Sequence, residues 1–392
     1  MSAVLSAASA ANRTSTTSWP MPVILMTAAV ALALLRGEAP LEVLSAGADA
    51  FASSASGFLF ILLPSFVLAA FLARETQPVF GAKAGALLSP VCAAAMVCPD
   101  TGYAVLSPGG GTGKLPLAFG SYAGFKLLAP AGPLIVATAL GVPATWELFA
   151  GAFALAVVAV AAGSSWAAVW QQAPSTRTPR TAGGARLLHW APMGVLLLAL
   201  IAGLSSPPGH PVALVLGSPA IALCLAAVAA LLIADRGARA EYVERSVSRT
   251  SRLLFMIGAA GMLGSQASAW IDPSHFVSLA GGKLAAILVI YLVAAIVKTA
   301  QGSSMVTFAT VSALLAGSIT QLPISPTSAV LAICAGSFAV LLPNDSFYWL
   351  VRTDALKDWS EKKAMLVLSA GSAMQSLATL GVLLLAVVLG WI

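Results

Sequence analysis

"AVLLPNDSFYWLV", residues 339–351, begins and ends like an apolar run that crosses a bilayer, yet Pro343, Asn344, Asp345 and Ser346 stand at its centre. A helix breaker, an amide and a carboxylic acid at that depth need a physical reason. In hydrocarbon every backbone N–H and C=O must find a partner inside the protein, so irregular backbone persists only where it is buried or lines a cavity. The stretch predicts a membrane helix broken around an internal polar site.

The rest of the chain supports a membrane setting. Of 392 residues, 59% are hydrophobic and 9% charged, with a mean hydropathy of +0.93, whereas soluble domains carry about 25% charged residues. A soluble fold could not hide this much apolar surface. The 34 Gly and 23 Pro form a load that spanning helices tolerate better than soluble ones. Cys92, Cys98, Cys224 and Cys334 lie in apolar stretches without metal-binding spacing and read as small core residues.

The net charge of +6 is gathered between the apolar runs, which argues for topology and against nucleic acid. "STRTPRTAGGAR" carries Arg177, Arg180 and Arg186; "DRGARAEYVERSVSRTSR" carries Arg236, Arg239, Arg245, Arg249 and Arg252. Both are expected on the cytoplasmic side, joined by a helical hairpin of runs 187–206 and 212–234 with "SSPPGHP" as its outer turn. "RTDALKDWSEKK", with Arg352, Lys357, Lys362 and Lys363, also reads as cytoplasmic.

Further apolar runs lie near 55–73, 84–107, 115–141, 147–171, 253–271, 283–298, 304–319, 326–342 and 364–391, after a retained first helix beginning near residue 20. At roughly 20 residues per crossing the chain is expected to hold ten to twelve transmembrane segments, some broken. The expected organisation is a polar tail at 1–19, a first transmembrane repeat at 20–171, a cytoplasmic linker at 172–186 and a second repeat at 187–392. Apolar runs broken at depth in both halves mark a transporter built from repeats.

An ionisable group at mid-bilayer costs at least about 2.5 to 3.5 kcal/mol and marks a pathway or a partner. "MVCPDTGYAVLSP" places Asp100 between Pro99 and Thr101–Gly102; "AIVKTAQGSSMVTFATV" sets Lys298, Gln301, Ser303 and Ser304 around Gly302; "GFKLLAPAGPLIVA" holds Lys126 ahead of Pro130 and Pro133. Where Gly or Pro lets the helix break, the N-terminal half presents partial positive charge to a cavity, which suits a carboxylate ligand. Ser, Thr and Gly in spanning helices serve close helix contact more often than ligands, and Ser303, Thr307 or Thr310 taken singly reads that way. Asp100 and Asp345 do not, since helix contact requires no acid beside a proline. Loss of solvation favours the neutral form of a carboxyl, so either Asp is a candidate proton carrier.

Lys83, Lys114 and Arg74 sit at run ends where they can snorkel, and receive no role. His189, His210 and His275 lie at surfaces or turns. "SPGGGTGKLP" fails as a phosphate loop: Pro108 takes the place of the first glycine and Leu115 that of the Ser or Thr after Lys114. A serine with a distant histidine leaves an intramembrane enzyme as a remote alternative, with few catalytic groups at depth and no cofactor or metal motif.

"VKTAQGSSMVTFATVSALLA", residues 297–316, and "AICAGSFAVLLPNDSFYWLVRTDAL", residues 332–356, resemble the Ala-Gln-Gly-Ser and Asn-Asp…Trp-Leu-Val segments of the gluconate permease family of carboxylate:proton symporters, in the same order. "CPDTGYAVLSP" and "GFKLLAPAGPLIVATALG" resemble its first-half segments more weakly. Histidines usual in that family near Lys126 and before Asn344 are absent, and Phe347 stands where a small residue is usual.

The resemblance implies an all-α integral membrane protein of the ion transporter superfamily: two inverted repeats, each with a re-entrant hairpin and a broken helix, often a homodimer in the bacterial inner membrane. It implies proton-coupled symport of a gluconate-like sugar acid or hydroxy acid, with a sodium-coupled or exchange carrier of another organic anion as the alternative. On this reading Gln301, Gly302, Ser303, Ser304, Asn344 and Ser346, with Thr101 and Lys126, contact the substrate. Asp345 leads and Asp100 follows as the group that couples the ion, with Lys126 as a fixed countercharge or the partner of one Asp.

Overall fold

The computed structural model describes residues 21–75, 82–107, 113–170, 187–205, 210–216, 218–270 and 281–391. The expected tail at 1–19 and linker at 172–186, with Arg177, Arg180 and Arg186, lie outside them, as does His275.

The described residues form helices and no strand. The first half runs α1 (Met21–Leu35), α2 (Pro40–Glu75), α3 (Ala82–Ala95), α4 (Pro99–Leu106), α5 (Lys114–Leu127), α6 (Gly132–Leu140) and α7 (Trp146–Trp170). The second runs α8 (Ala191–Ser205), α9 (Pro211–Leu216), α10 (Pro219–Ile233), α11 (Arg236–Trp270), α12 (Lys283–Gln301), α13 (Ser304–Leu315), α14 (Pro326–Gly336), α15 (Ser346–Asp354) and α16 (Glu361–Val388). Each half thus places a long helix, two interrupted helix pairs and a full-length helix in the same order. Lys114–Leu140, Trp146–Trp170, Lys283–Gln301 and Glu361–Val388 are long and apolar enough to cross a membrane, and Pro40–Leu72, bent by 46°, makes a fifth among the described residues. Shorter apolar helices such as Ser304–Leu315 and Pro326–Gly336 flank the breaks.

α2 lies along α11, α3 along α5, and α16 against α7. The α3–α5 contact is close because Gly124 faces Pro90: a Cβ on Gly124 would stand 2.0 Å from the Pro90 carbonyl oxygen. Between α16 and its neighbours, Gln375 donates from Nε2 to the carbonyls of Phe119 (3.1 Å) and Ala159 (2.9 Å), and Trp166 donates to Val367 (2.9 Å).

The second half differs from its sequence pattern in two places. The apolar run 326–342 stops being helical at Gly336, and residues 337–345 form irregular backbone. Side chains from other elements take up the freed carbonyls: Lys126 donates to Ser337, Ser372 to Phe338, Ser369 to Leu341 (2.8 Å) and Trp349 to Pro343 (2.8 Å). Two serines one turn apart on α16, Ser369 and Ser372, thus face this segment, because hydrocarbon offers no other donor. The basic stretch 235–252, expected as a cytoplasmic connection, is the first half of the 35-residue helix α11.

Arg74 and Lys114, given no role from sequence, are paired, with Glu241 (2.5 Å) and Asp354 (2.5 Å). Asp354 also accepts from the Tyr103 hydroxyl at 2.8 Å, tying the end of α15 to α4 and α5.

The break between α12 and α13 depends on Gly302, whose φ is +76° and whose added Cβ would stand 2.4 Å from the Asn344 carbonyl oxygen. Left-handed backbone at a non-glycine residue costs roughly 1–3 kcal/mol, and the contact adds to it. Gly302→Ala is expected to lower the melting temperature of the purified protein by several degrees, whereas Gly194→Ala on α8, where a Cβ meets nothing within 4 Å, leaves it unchanged.

Candidate functional site

Three of the breaks bring helix N-termini together. α4 begins at Pro99 with Cys98 as its cap, the thiol sulfur accepting from the Thr101 N–H. α13 begins after Ser303, whose hydroxyl accepts from the Val306 N–H at 3.4 Å. α15 begins after Asp345, whose Oδ1 accepts from the Phe347 N–H at 2.9 Å. All three caps line a single cavity of about 910 Å³, with Asp100, Ser304, Asn344 and Ser346 beside them and the first half of α11 as its outer wall.

Phe347 braces this wall from behind, stacked on Tyr122 (centroids 5.3 Å, planes 2° apart) and edge-on to Tyr103 at 5.9 Å. Its ring contacts tie the start of α15 to both α4 and α5.

The breaks at 302 and 344 hold each other. Asn344 donates from Nδ2 to the Thr299 carbonyl at 3.0 Å and reaches that of Ala300 at 3.4 Å, serving carbonyls that α12 leaves open at its end. In return Lys298, on the last turn of α12, donates to the Gly302 carbonyl and pairs with Asp345 Oδ2 at 2.6 Å. Lys298 is 1% exposed and Asp345 8%. The Tyr122 hydroxyl approaches the same Asp345 oxygen at 3.5 Å. Ser346 then donates to Asp100 Oδ2 at 3.1 Å, so the first-half and second-half breaks touch. Asp100 Oδ1 is buried without a hydrogen-bond partner.

Of the residues expected from sequence, Asp100, Ser303, Ser304, Asn344, Asp345 and Ser346 line the cavity together. Thr101 stands just off it, its hydroxyl accepting from Arg249 at 3.0 Å. Gly302 is buried at the crossing of the two breaks, and Gln301 beside it has a buried Oε1 without a partner. Lys126 lies apart from the lining: fully buried, it donates to the Ser337 carbonyl with its ammonium over the rings of Tyr122 (3.8 Å) and Phe338 (4.6 Å).

Sequence reasoning gave no role to Lys298, the actual ion-pair partner of Asp345, although a lysine near the end of an apolar run was itself the signal. It also missed Arg249, counted with the cytoplasmic cluster. Arg249 lines the cavity, lies over the Phe66 ring at 4.6 Å and donates to Cys98 Sγ at 2.8 Å. Cys98 is therefore more than a small core residue: it caps α4 and faces the cavity.

A family model described as GntP family permease matches residues 187–389, just over half of the chain. The chain belongs to the GntP permease family. The gluconate permease of Pseudomonas aeruginosa is 27% identical over 194 residues, 45% of this chain and 43% of that protein, so the chain spans less than half the length of this curated relative. Among solved structures, the YdaH transporter of Alcanivorax borkumensis is similar with a TM-score of 0.69 at 15% identity, covering 95% of this chain and 99% of that one. MtrF of Neisseria gonorrhoeae, described with a class of antimetabolite efflux pumps, gives 0.63 at 12% identity, covering 96% and 97%. At such identities the likeness is one of fold, and the fold is that of membrane transporters. The GntP match includes Lys298, Ser303 and Asp345; Asp100 and Lys126 fall outside it.

Because the cavity is bordered by the basic first half of α11, it is expected to open toward the cytoplasm. With the four native cysteines replaced, Ser248→Cys on the α11 wall should react with a membrane-impermeant thiol reagent faster in inside-out than in right-side-out vesicles. Faster labelling from outside would reverse the assigned orientation.

Proposed function

We propose that this GntP family permease is a secondary transporter carrying a small organic acid, a gluconate-like sugar acid or hydroxy acid, together with a proton across the bacterial cytoplasmic membrane. The observation that carries the proposal is the meeting of three capped helix N-termini, at Cys98, Ser303 and Asp345, on one cavity. Each N-terminus presents roughly half a positive charge, and three such ends make the wall a receptor for an anion. A cavity of about 910 Å³ falls within the ~300–1,000 Å³ of small-molecule sites and holds a sugar acid with water around it.

In this reading the free N–H groups and hydroxyls of Ser303, Ser304 and Ser346 receive the substrate's carboxylate and hydroxyls. Asn344 offers its amide oxygen, since its Nδ2 is committed to α12. Thr101 follows the cavity-lining Asp100 on α4, Gln301 ends α12 two residues before Ser303, and Gly302 lets the two breaks approach. Lys126 supports the site from behind by satisfying unwound backbone. Asp345 is the proton carrier: it is a cavity-lining acid paired inside the protein with Lys298, so its protonation has to be matched by the arrival of the substrate anion. Asp100, joined to Ser346, is the second titrating group. The repeated order of broken helices in the two halves supports alternating access by two inverted repeats around this midplane site.

The test is uptake of labelled gluconate into proteoliposomes under a pH gradient, with and without a sodium gradient. Accumulation is expected with the pH gradient alone, and a requirement for sodium would favour the sodium-coupled alternative. Asp345→Asn is expected to abolish gradient-driven accumulation while gluconate counterflow continues; Asp100→Asn should weaken accumulation less.

A further inference from the structure

The group directly behind Asp345 has a function of its own to explain. Lys298 is buried, is not among the cavity-lining residues, and donates to the Gly302 carbonyl and Asp345. A second ammonium, Lys126, lies on the same Tyr122 ring, at 3.8 Å against 5.9 Å for Lys298. Asp345 is thus faced by Lys298 from α12 and by Tyr122 and Lys126 from α5. Asp100 of α4 follows beyond Ser346, with Arg249 of α11 reaching the Cys98–Thr101 end of α4. Cys334 of α14 lies on the far side, near Lys126. The inner cluster is the Lys298–Asp345 ion pair, one cation and one anion, with the buried Lys126 beside it.

A buried ammonium stripped of its counterion costs several kcal/mol, so Lys298 cannot lose the Asp345 carboxylate unless another anion arrives. The anion available at this wall is the substrate.

Resting on the reading of this cavity as a carboxylate site, we propose that Lys298 is the substrate's carboxylate receptor and that loading is an exchange of counterions: the substrate carboxylate replaces Asp345 on Lys298 as Asp345 takes up one proton. The proton comes from cavity water onto the Asp345 carboxylate, and Lys298 stays protonated throughout. The empty ion pair bears Lys298 as cation and Asp345 as anion. The loaded site bears the same cation, a neutral Asp345 and a monoanionic substrate. Its net charge is the same in both states, so a monoanion moves with one proton and no net charge crosses the membrane. A carrier half loaded, with proton or with anion alone, holds an unbalanced charge in a buried site and is held back from reorienting.

The experiment uses the full chain in proteoliposomes with gluconate as probe. One unit of pH difference supplies about 1.4 kcal/mol per proton, so wild-type accumulation should approach about tenfold per unit and be unchanged when a potassium diffusion potential is imposed. Potential-driven uptake, or a proton-to-gluconate ratio other than one, overturns the exchange. Lys298→Gln alone strands the Asp345 carboxylate, so the deciding variant is Lys298→Gln with Asp345→Asn, a neutral pair of similar size. If Lys298 receives the substrate, the double variant folds and has lost gluconate binding by about 100-fold, as expected for removal of a buried charge partner, while Asp345→Asn alone, whose Lys298 only the substrate carboxylate can answer, binds gluconate more tightly than the wild type. Recovery of near wild-type binding in the double variant would show Lys298 to be only a partner for Asp345 and would sink the proposal. A wild-type protein that neither binds nor transports gluconate fails earlier, and takes the gluconate reading of the cavity and the exchange down together.

Discussion

Backbone that leaves the helix inside a membrane has to bring its own hydrogen-bond partners, and the second half of this protein is arranged around that demand. Residues 337–345 run irregular for nine residues between α14 and α15. Their carbonyls are met by a lysine from α5, serines from α16 and a tryptophan from α15. Nearby, Ser376 donates to Ala335 at 2.8 Å at the end of α14. Those partners fix where α16 and α5 must lie, and so fix the wall of the cavity. Lys126, which the sequence offers as a substrate ligand, finds a partner in this framework; an ammonium over two aromatic faces and against a carbonyl is partly satisfied without an acid.

The same constraint produces the site. Each break that exposes carbonyls on one side exposes N–H groups on the other, and at α4, α13 and α15 those N-terminal ends face a common space. Side chains cap each end only in part, leaving donors for a ligand. Asn344 and Lys298 lock the breaks at 344 and 302 in reciprocal fashion, one taking the open carbonyls of α12 and the other the acid that begins α15. A buried ion pair of this kind contributes little net stability over an apolar replacement. Its value here lies in holding a charge that has to be answered whenever the cavity is filled.

Phe347 and Arg249 show how single side chains act across the fold. Phe347 lies edge-on to Tyr103 and face to face with Tyr122, which itself lines the cavity. Arg249 brings a guanidinium to a thiol cap, which links α11 to the break at α4. Neither residue departs from ordinary chemistry; each acts through a neighbour more than 100 positions away in sequence.

Hydropathy, the distribution of Lys and Arg, and the polar residues set among apolar runs determine that this is a helical membrane protein with interrupted helices, and Pro99–Asp100, Gln301–Gly302 and Asn344–Asp345 mark three interruptions by themselves. Those are local signals, because in lipid a charge, an amide or a proline cannot be hidden by averaging over a surface. What sequence does not decide is pairing. That Asp345 meets Lys298 rather than Lys126, that Ser346 reaches Asp100, and that α14 ends at Gly336 because α16 supplies serines to the chain beyond it all depend on contacts between distant segments. The basic stretch 235–252 has the composition of a connecting loop, and only its place along α2 makes it a helix lining the cavity. Single residues announce that the membrane has been breached; which breach answers which is settled by tertiary hydrogen bonding.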